Sequence, residues 1–163
     1  MRRAPVEKWE NTRDEIRAAV ESKGYDKDRG VFVQSFSSKQ LDAALLLLPK
    51  VDFVDYKDER MVRTTEAIRE ELDDDGLVRR YRRKGHEEGA FVACSFWLVE
   101  CLARQDRFDE ARRVFDRAVA AGNDLGLFSE EYDTRHNELL GNFPQGLSHL
   151  SHITAALAID ERS

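Results

Sequence analysis

The feature that most constrains the fold is a set of three long segments that are apolar on almost every side. They lie at residues 37–54, 89–103 and 143–159. A helix without a polar face has to be covered all round. We therefore expect three buried inner helices, the first of them capped by Ser37 or Ser38.

Amphipathic segments alternate with these apolar ones. They lie at residues 5–24, 58–72 and 106–122. In the first, Trp9, Ile16 and Val20 form one apolar stripe and charged residues fill the rest of the surface. In the third, Asp106 is the expected N-cap and Gly122 the expected residue just past the end. The predicted order along the chain is outer, inner, outer, inner, outer, inner.

Three hairpins, each with one outer and one inner helix, make two concentric layers. This is a helical toroid or solenoid, because the helices of an up-down bundle would each be half exposed. The predicted fold class is all-α, with residues 1–163 as a single domain. Three hairpins form an arc that leaves its inner helices partly uncovered, so we expect a second copy or a longer protein to cover them. A tetratricopeptide-like unit at residues 106–122 is an alternative, although no copy lies 34 residues away in either direction.

The charge balance excludes one broad class of function. Against 26 Lys and Arg residues stand 32 Asp and Glu residues, which gives a net charge of −6 over 163 residues. Domains that bind the phosphate backbone of nucleic acids usually have more basic than acidic residues, so nucleic acid is not an expected partner. No apolar run approaches the ~20 residues of a membrane helix, and the first residues show no apolar signal region. We therefore expect no membrane partner and a cytoplasmic protein.

Two segments between helices carry candidate chemistry. In residues 123–145, Glu130 and Glu131 stand beside Phe128 and Tyr132, and a carboxylate in a partly apolar cleft is suited to acid–base catalysis. A solvated acidic loop is the alternative. The second segment, residues 73–89, places basic residues around one tyrosine: Arg79, Arg80, Tyr81, Arg82, Arg83 and Lys84. It fits either an arginine that binds sugar hydroxyls beside a stacking tyrosine or a salt-bridged extended segment.

The cysteines and histidines predict neither a disulfide nor a metal site. Cys94 and Cys101 are two helical turns and ~10 Å apart, beyond the reach of a disulfide. His149 and His152 could share a helix face, but no third ligand stands at a recognisable spacing, so we expect packed histidines. The chain has no glycine-rich phosphate loop and no nucleophile elbow. Hydrolysis by paired carboxylates, with no cofactor, is the reaction class that remains.

Three sequence blocks resemble the C-terminal half of glycoside hydrolase family 15, which includes glucoamylases, glucodextranases and microbial trehalases. The blocks are FVQSFSSKQLDAALLLLP, EEGAFVACSFWLVECLA and NDLGLFSEEYDTRHNELLGNFPQGLSHL. They occur in the family's order over about residues 10–160. The family fold is an (α/α)6 toroid of six hairpins. The resemblance therefore implies that the three hairpins predicted here are half of that barrel.

The resemblance also implies a mechanism and a set of site residues. Members of the family are inverting enzymes that release α-linked glucose from a chain end. The block SEEYD matches the motif of the family's general base, which implies that Glu130 is that base and that Glu131 lies near the substrate or water. The segment VRRY implies that Arg80, beside Tyr81, binds glucose hydroxyls. Glu88 would face the same side of the toroid.

One part of the family's machinery has no counterpart in this chain. The general acid of the family comes from the first half of the toroid, and no residue here is assigned to that role. We therefore expect the isolated chain to have little or no glycosidase activity. The substrate, whether starch, dextran or trehalose, stays open. The alternative function is a catalytically inactive half-toroid that acts as a helical interaction scaffold.

Overall fold

A computed structural model describes residues 5–82 and 89–161 of the chain. Its helices are α1 (Val6–Lys23), the 3₁₀ helix η1 (Ala43–Val51), α2 (Glu59–Glu71), α3 (Val92–Arg104), α4 (Phe108–Val119) and α5 (Gly146–Asp160). The short strands between them are β1 (Tyr25–Asp26), β2 (Val31–Phe32), β3 (Asp73–Asp74), β4 (Leu77–Val78), β5 (Ala90–Phe91), β6 (Glu131–Asp133) and β7 (Glu138–Leu140). The predicted all-α class and the predicted order of helices are confirmed. The strands form two small hairpins and one three-stranded sheet in which β6 lies between β5 and β7.

Helix α3 is the centre of the hydrophobic core. All of its residues from 92 to 103 are buried, including Ser95 and Glu100. The indole of Trp97 donates a hydrogen bond to Ser151 Oγ on α5, at 2.9 Å. Burial on every side is what the absence of a polar face predicted for this inner helix.

The first inner helix differs from the expected α-helix. It is a 3₁₀ helix that begins at residue 43, and its cap is Asp42, whose carboxylate accepts from Ala44 N–H at 2.8 Å. The expected caps, Ser37 and Ser38, lie well before it, and Ser37 has a left-handed φ of 64°. Pro49 lies inside the helix and has no amide to donate to an α-helical ladder. The segment therefore forms a shorter and tighter helix than its apolar run predicted.

Two expectations for the outer helices also need correction. Helix α1 buries no residue, and Trp9 and Ile16 are 58% and 59% exposed, so most of its apolar stripe lies on the surface. Asp106 does not cap α4, because its φ is 61° and Arg107 occupies the cap position. The Asp106 carboxylate instead pairs with Lys57.

The last inner helix, α5, is covered on one side only. Its buried face carries small side chains and one isoleucine: Ser148, Ser151, Ala155, Ala158 and Ile159. Its other face exposes Leu147, Leu150, Ile153 and Leu157. This one-sided burial is what an open arc of hairpins predicts. Within residues 5–82 and 89–161, no helix is long and apolar enough to cross a membrane.

Candidate active site

The same backbone junction occurs at the start of two successive inner helices. At the start of η1, Ala43 N–H donates to the carbonyl of Arg80 at 2.7 Å. At the start of α3, Val92 N–H donates to the carbonyl of Glu130 at 3.1 Å. In each case the next residue, Tyr81 or Glu131, pairs with the residue that caps the helix. Arg80 and Glu130 thus occupy equivalent positions, one hairpin apart.

The first residues of helix α5 contact the same segment, residues 128–130, as the first residues of α3. The amide of Gln145, its N-cap residue, donates to the carbonyl of Phe128 at 2.8 Å. The hydroxyl of Ser148 donates to the carbonyl of Ser129 at 2.8 Å. The segment that carries Glu130 therefore lies between the N-terminal ends of α3 and α5. Residues 78–81 and residues 128–131 lie at this end of the inner helices. We call these two segments together the N-terminal rim.

Glu130 is half-buried at this rim and is held through one carboxylate oxygen. Its Oε2 accepts from the amide nitrogen of Asn142 at 3.2 Å and from the Asn142 side chain at 2.9 Å. Its own amide donates to the carbonyl of Asn142 at 2.9 Å. From residues 5–82 and 89–161, no hydrogen bond reaches Oε1. The described part of the chain thus fixes the carboxylate at one oxygen only.

Glu131 faces a different neighbour. Its Oε2 accepts from the amide of Gly89 at 3.2 Å, and its carbonyl accepts from Ser129 Oγ at 2.5 Å. Glu130, the residue before β6, thus contacts Asn142 after β7, whereas Glu131, the first residue of β6, contacts Gly89 before β5. Gly89 fits here because a Cβ at that position would lie 2.5 Å from the carbonyl oxygen of Tyr132.

Arg80 and Tyr81 lie at the equivalent junction of η1. The Arg80 guanidinium is about half exposed, its Nε is 3.7 Å from Asp42 Oδ1, and its central carbon is 6.0 Å from the centre of the Tyr81 ring. The same Asp42 oxygen caps η1. Neighbouring Arg79 points elsewhere and pairs with Asp74 at 2.9 Å. The arginine that the resemblance singled out therefore stays open to solvent beside an aromatic ring.

Glu88, the remaining predicted site residue, lies outside the described residues, as do Arg83 and Lys84 of the basic segment. Two residues in contact with the rim, Asn142 and Asp42, were not singled out from the sequence. Asn142 is in the block that carries the resemblance, within the stretch GNFPQ, so a signal for it existed. Asp42 gave no signal beyond the general preference of aspartate for helix caps.

The cysteines and histidines have structural surroundings. Cys94 and Cys101 are buried and free, and burial raises the pKa of both thiols well above the usual range. His149 Nδ1 lies 2.8 Å from the carbonyl of Gln145, and Phe128 N–H donates to its Nε2 at 3.4 Å. His152 packs against aromatic rings, and burial lowers its pKa. Among the described residues, no group of three or more histidine, cysteine or acidic side chains is placed to hold a metal ion.

Alternating outer and inner helices with candidate side chains at one rim are the architecture of an arc of an α/α toroid. Residues 2–157 match a protein-family model described as "Glycosyl hydrolases family 15". The chain therefore belongs to glycosyl hydrolases family 15. The resemblance found in the sequence is confirmed.

The similar proteins include trehalases of archaea and bacteria. The chain is 43% identical to a trehalase of Thermoplasma volcanium over 97% of its length and 39% identical to one of Mycobacterium tuberculosis over 94%. It spans only 26% and 23% of those two proteins, about a quarter of each.

Solved structures of glycosidases share the fold. A wild-type glycosidase superposes with a TM-score of 0.79 at 21% identity, over 92% of this chain and 43% of the other. A variant glycosidase in complex with glucose gives 0.78 at 22% identity, with the same coverage. At these identities the likeness establishes the fold alone. It agrees with the predicted arc of an (α/α)6 barrel.

Proposed function

We propose that this chain forms the general-base half of an inverting, exo-acting glycoside hydrolase that releases glucose. Trehalose is the substrate we favour, because the curated relatives named above are trehalases. The observation that carries the proposal is the carboxylate of Glu130, which is half-buried at the N-terminal rim and fixed at Oε2 by Asn142. In this proposal residues 1–163 act as one helical unit of a larger toroid.

The chemistry assigns the proton transfers to two carboxyl groups. Glu130 takes a proton from water as that water attacks the anomeric carbon, while a general acid from the rest of the toroid protonates the leaving oxygen. The two carboxyls of an inverting pair stand ~6.5–9.5 Å apart to leave room for the water. Oε1 of Glu130, which accepts no hydrogen bond from residues 5–82 and 89–161, is the oxygen available for this proton.

The neighbouring residues of the rim have supporting roles in the proposal. The exposed Arg80 guanidinium, near the Tyr81 ring, donates to glucose hydroxyls. Glu131 accepts a hydrogen bond from the amide of Gly89 and lies next to the substrate or water. Glu88 keeps the role that the family resemblance implies, on the same side of the toroid.

The experiment is a trehalose hydrolysis assay of the full natural polypeptide, with the released glucose followed by proton NMR. Inversion at the attacked carbon gives one β-glucose, and the leaving glucose keeps its α configuration, so the two anomers form initially in equal amounts. Retention would give only the α anomer at first. Glu130→Gln should abolish turnover. Glu138→Gln, on exposed strand β7 of the same hairpin, is the matched control and should leave it unchanged. Full activity of Glu130→Gln would overturn the proposal.

A helical scaffold is the second candidate function, and one observation favours it. Helix α5 exposes Leu147, Leu150 and Leu157, and a contiguous apolar surface of this kind often marks a protein–protein contact. In the scaffold we propose that a second copy of the chain covers this face, whereas in the enzyme further hairpins of the toroid would cover it. A polypeptide that associates through α5 yet hydrolyses neither trehalose nor maltose nor dextrin would favour the scaffold.

A further inference from the structure

We propose that Asn142 is a positioning residue for Glu130: it holds Oε2 so that Oε1 is presented to the attacking water. This inference rests on the proposed function, in which Glu130 is the general base. It assigns a role to a residue that acts through the carboxylate of Glu130.

The contact between the two residues is double and directional. The backbone amide and the side-chain amide of Asn142 both donate to the same oxygen, Oε2, at 3.2 Å and 2.9 Å. Two donors on one oxygen fix the rotation of the carboxylate as well as its position. Amide donors to a carboxylate are charge-assisted and stronger than neutral pairs. The arrangement therefore leaves a defined direction for Oε1.

The backbone around Asn142 is shaped for this contact. In the β6–β7 ladder Glu131 pairs with Leu140, while the amide of Glu130 donates to Asn142 rather than to Gly141. Two residues thus oppose one, and Gly141 is left-handed with a φ of +73°. This is a β-bulge with glycine at its first position, a device that redirects side chains and is common beside active sites.

Gly141 also leaves the space that the carboxylate occupies. A Cβ on Gly141 would lie 3.0 Å from both Cβ and Oε2 of Glu130. The bulge therefore brings the amides of Asn142 to the carboxylate and keeps the neighbouring position clear. The donors of Asn142 and the missing side chain of Gly141 both act on the carboxylate of Glu130.

The test compares kcat and KM for glucose release by the full natural polypeptide. Asn142→Asp keeps the shape but replaces the side-chain donor by a like charge, and Asn142→Ala removes the donor. A displaced base costs turnover while substrate binding remains, so we expect kcat to fall about 10- to 100-fold with KM changed less than about 2-fold. Asn137→Asp is the matched control in the same hairpin, because its oxygen accepts from Tyr132 and the substitution keeps that acceptor.

Two kinetic outcomes separate this inference from the proposed function. If Glu130→Gln is inactive while both Asn142 variants keep kcat within about 2-fold, the positioning role is overturned and the base stands. If Glu130→Gln is fully active, the proposed function fails, and the positioning role of Asn142 fails with it. Crystal structures of the Asn142 variants check the geometry independently: a Glu130 carboxylate that has rotated away supports positioning, and an unmoved one overturns it. Unchanged thermal unfolding of either variant separates positioning from misfolding.

Discussion

The backbone carbonyls of Arg80 and Glu130 accept hydrogen bonds from the first amides of consecutive inner helices. Arg80 accepts from Ala43 of η1 and Glu130 from Val92 of α3, at 2.7 Å and 3.1 Å. The first amides of a helix have no partner within it, so a carbonyl from the next hairpin satisfies one of them. This junction locks each hairpin to the next. It also places Arg80 at one junction and Glu130 at the next, so the side chains at consecutive junctions carry opposite charges.

The first prediction concerns Arg80 itself. In the proposed enzyme, Arg80→Ala should raise KM for trehalose about 10- to 100-fold, the cost of losing a charged donor to a sugar hydroxyl. Arg79→Ala is the matched control, because the adjacent guanidinium pairs with Asp74 instead. Steady-state kinetics on the full natural polypeptide make the comparison. Equal KM values for the two variants would remove Arg80 from the sugar site.

The second prediction uses a pair of glycines with the same backbone conformation. Gly141 and Gly126 both have a φ of +73°, but a Cβ meets Glu130 at 3.0 Å in the first and nothing within 4 Å in the second. Gly126→Ala should cost only the left-handed strain, about 1–2 kcal/mol. Gly141→Ala should cost about 0.5–1.5 kcal/mol more, because the new methyl group lies against Glu130 and pushes that side chain off its preferred rotamer.

Urea unfolding measures the free energy of unfolding of both alanine variants, and glucose release measures their kcat. Gly141→Ala should lower kcat along with stability, since it displaces the carboxylate of Glu130. Gly126→Ala should leave kcat unchanged. If the two alanine variants have the same free energy of unfolding, the packing of Gly141 against Glu130 is refuted.

Much of the architecture followed from hydrophobic periodicity, and the exceptions have local causes. Burial of α3 was predictable because an apolar surface of that kind has to be covered. The 3₁₀ form of η1 was not, since it depends on the Asp42 cap and on Pro49 within a run of leucines. The exposure of Trp9 was not predictable either. An amphipathic pattern shows that α1 has an apolar face, but it does not show whether another part of the protein packs against that face.

The candidate site was predictable only through the family resemblance. Adjacent glutamates are ordinary on helical surfaces, so the residue types of Glu130 and Glu131 could not separate a base from a solvated loop. What distinguishes Glu130 is the bulge at Gly141 and the donors of Asn142, both of which are formed by strand register across the β6–β7 hairpin. A register of this kind is set by tertiary pairing and is not visible in a local pattern.

The third prediction concerns acid stability, through an ion-pair network between α2 and α4. Arg107 binds Glu110 and Glu66 at 2.7 Å and 2.8 Å, and Arg69 binds the same two carboxylates. The hydrogen bond from Arg107 lowers the pKa of Glu110. For Glu66, burial raises the pKa, but hydrogen bonds from both arginines outweigh it, and the pKa falls below its ordinary 4.5.

The sign of the pH dependence follows from these lowered values. A carboxyl whose pKa is lower in the folded than in the unfolded chain stabilises the fold above its unfolded pKa. That contribution is lost as pH falls from about 5 through the folded pKa. Arg107→Gln should lower the free energy of unfolding at pH 7 by about 1–2 kcal/mol and flatten its decline in acid.

Urea titrations at pH 7 and pH 3 make this measurement. Arg63→Gln is the control, because Arg63 pairs with Glu59 on an exposed face and should contribute less than about 1 kcal/mol. An Arg107→Gln variant with the same acid decline as the unsubstituted protein would show that the network does not couple stability to pH.

The fourth prediction concerns the uncovered face of α5. Leu150 is 64% exposed at the centre of the apolar stripe, while Leu125 is 76% exposed in a loop. If further hairpins or a second copy cover α5, Leu150→Lys in the full natural polypeptide should destabilise folding or association by about 1.5–3 kcal/mol, the value of a buried leucine side chain. Leu125→Lys should change neither. Thermal unfolding and light scattering distinguish the two sources: a loss at constant mass indicates cover within one polypeptide, and a halved mass indicates a second copy. Equal tolerance of both lysines would mean that the α5 face stays in water, and neither the closed toroid nor the scaffold could then use it.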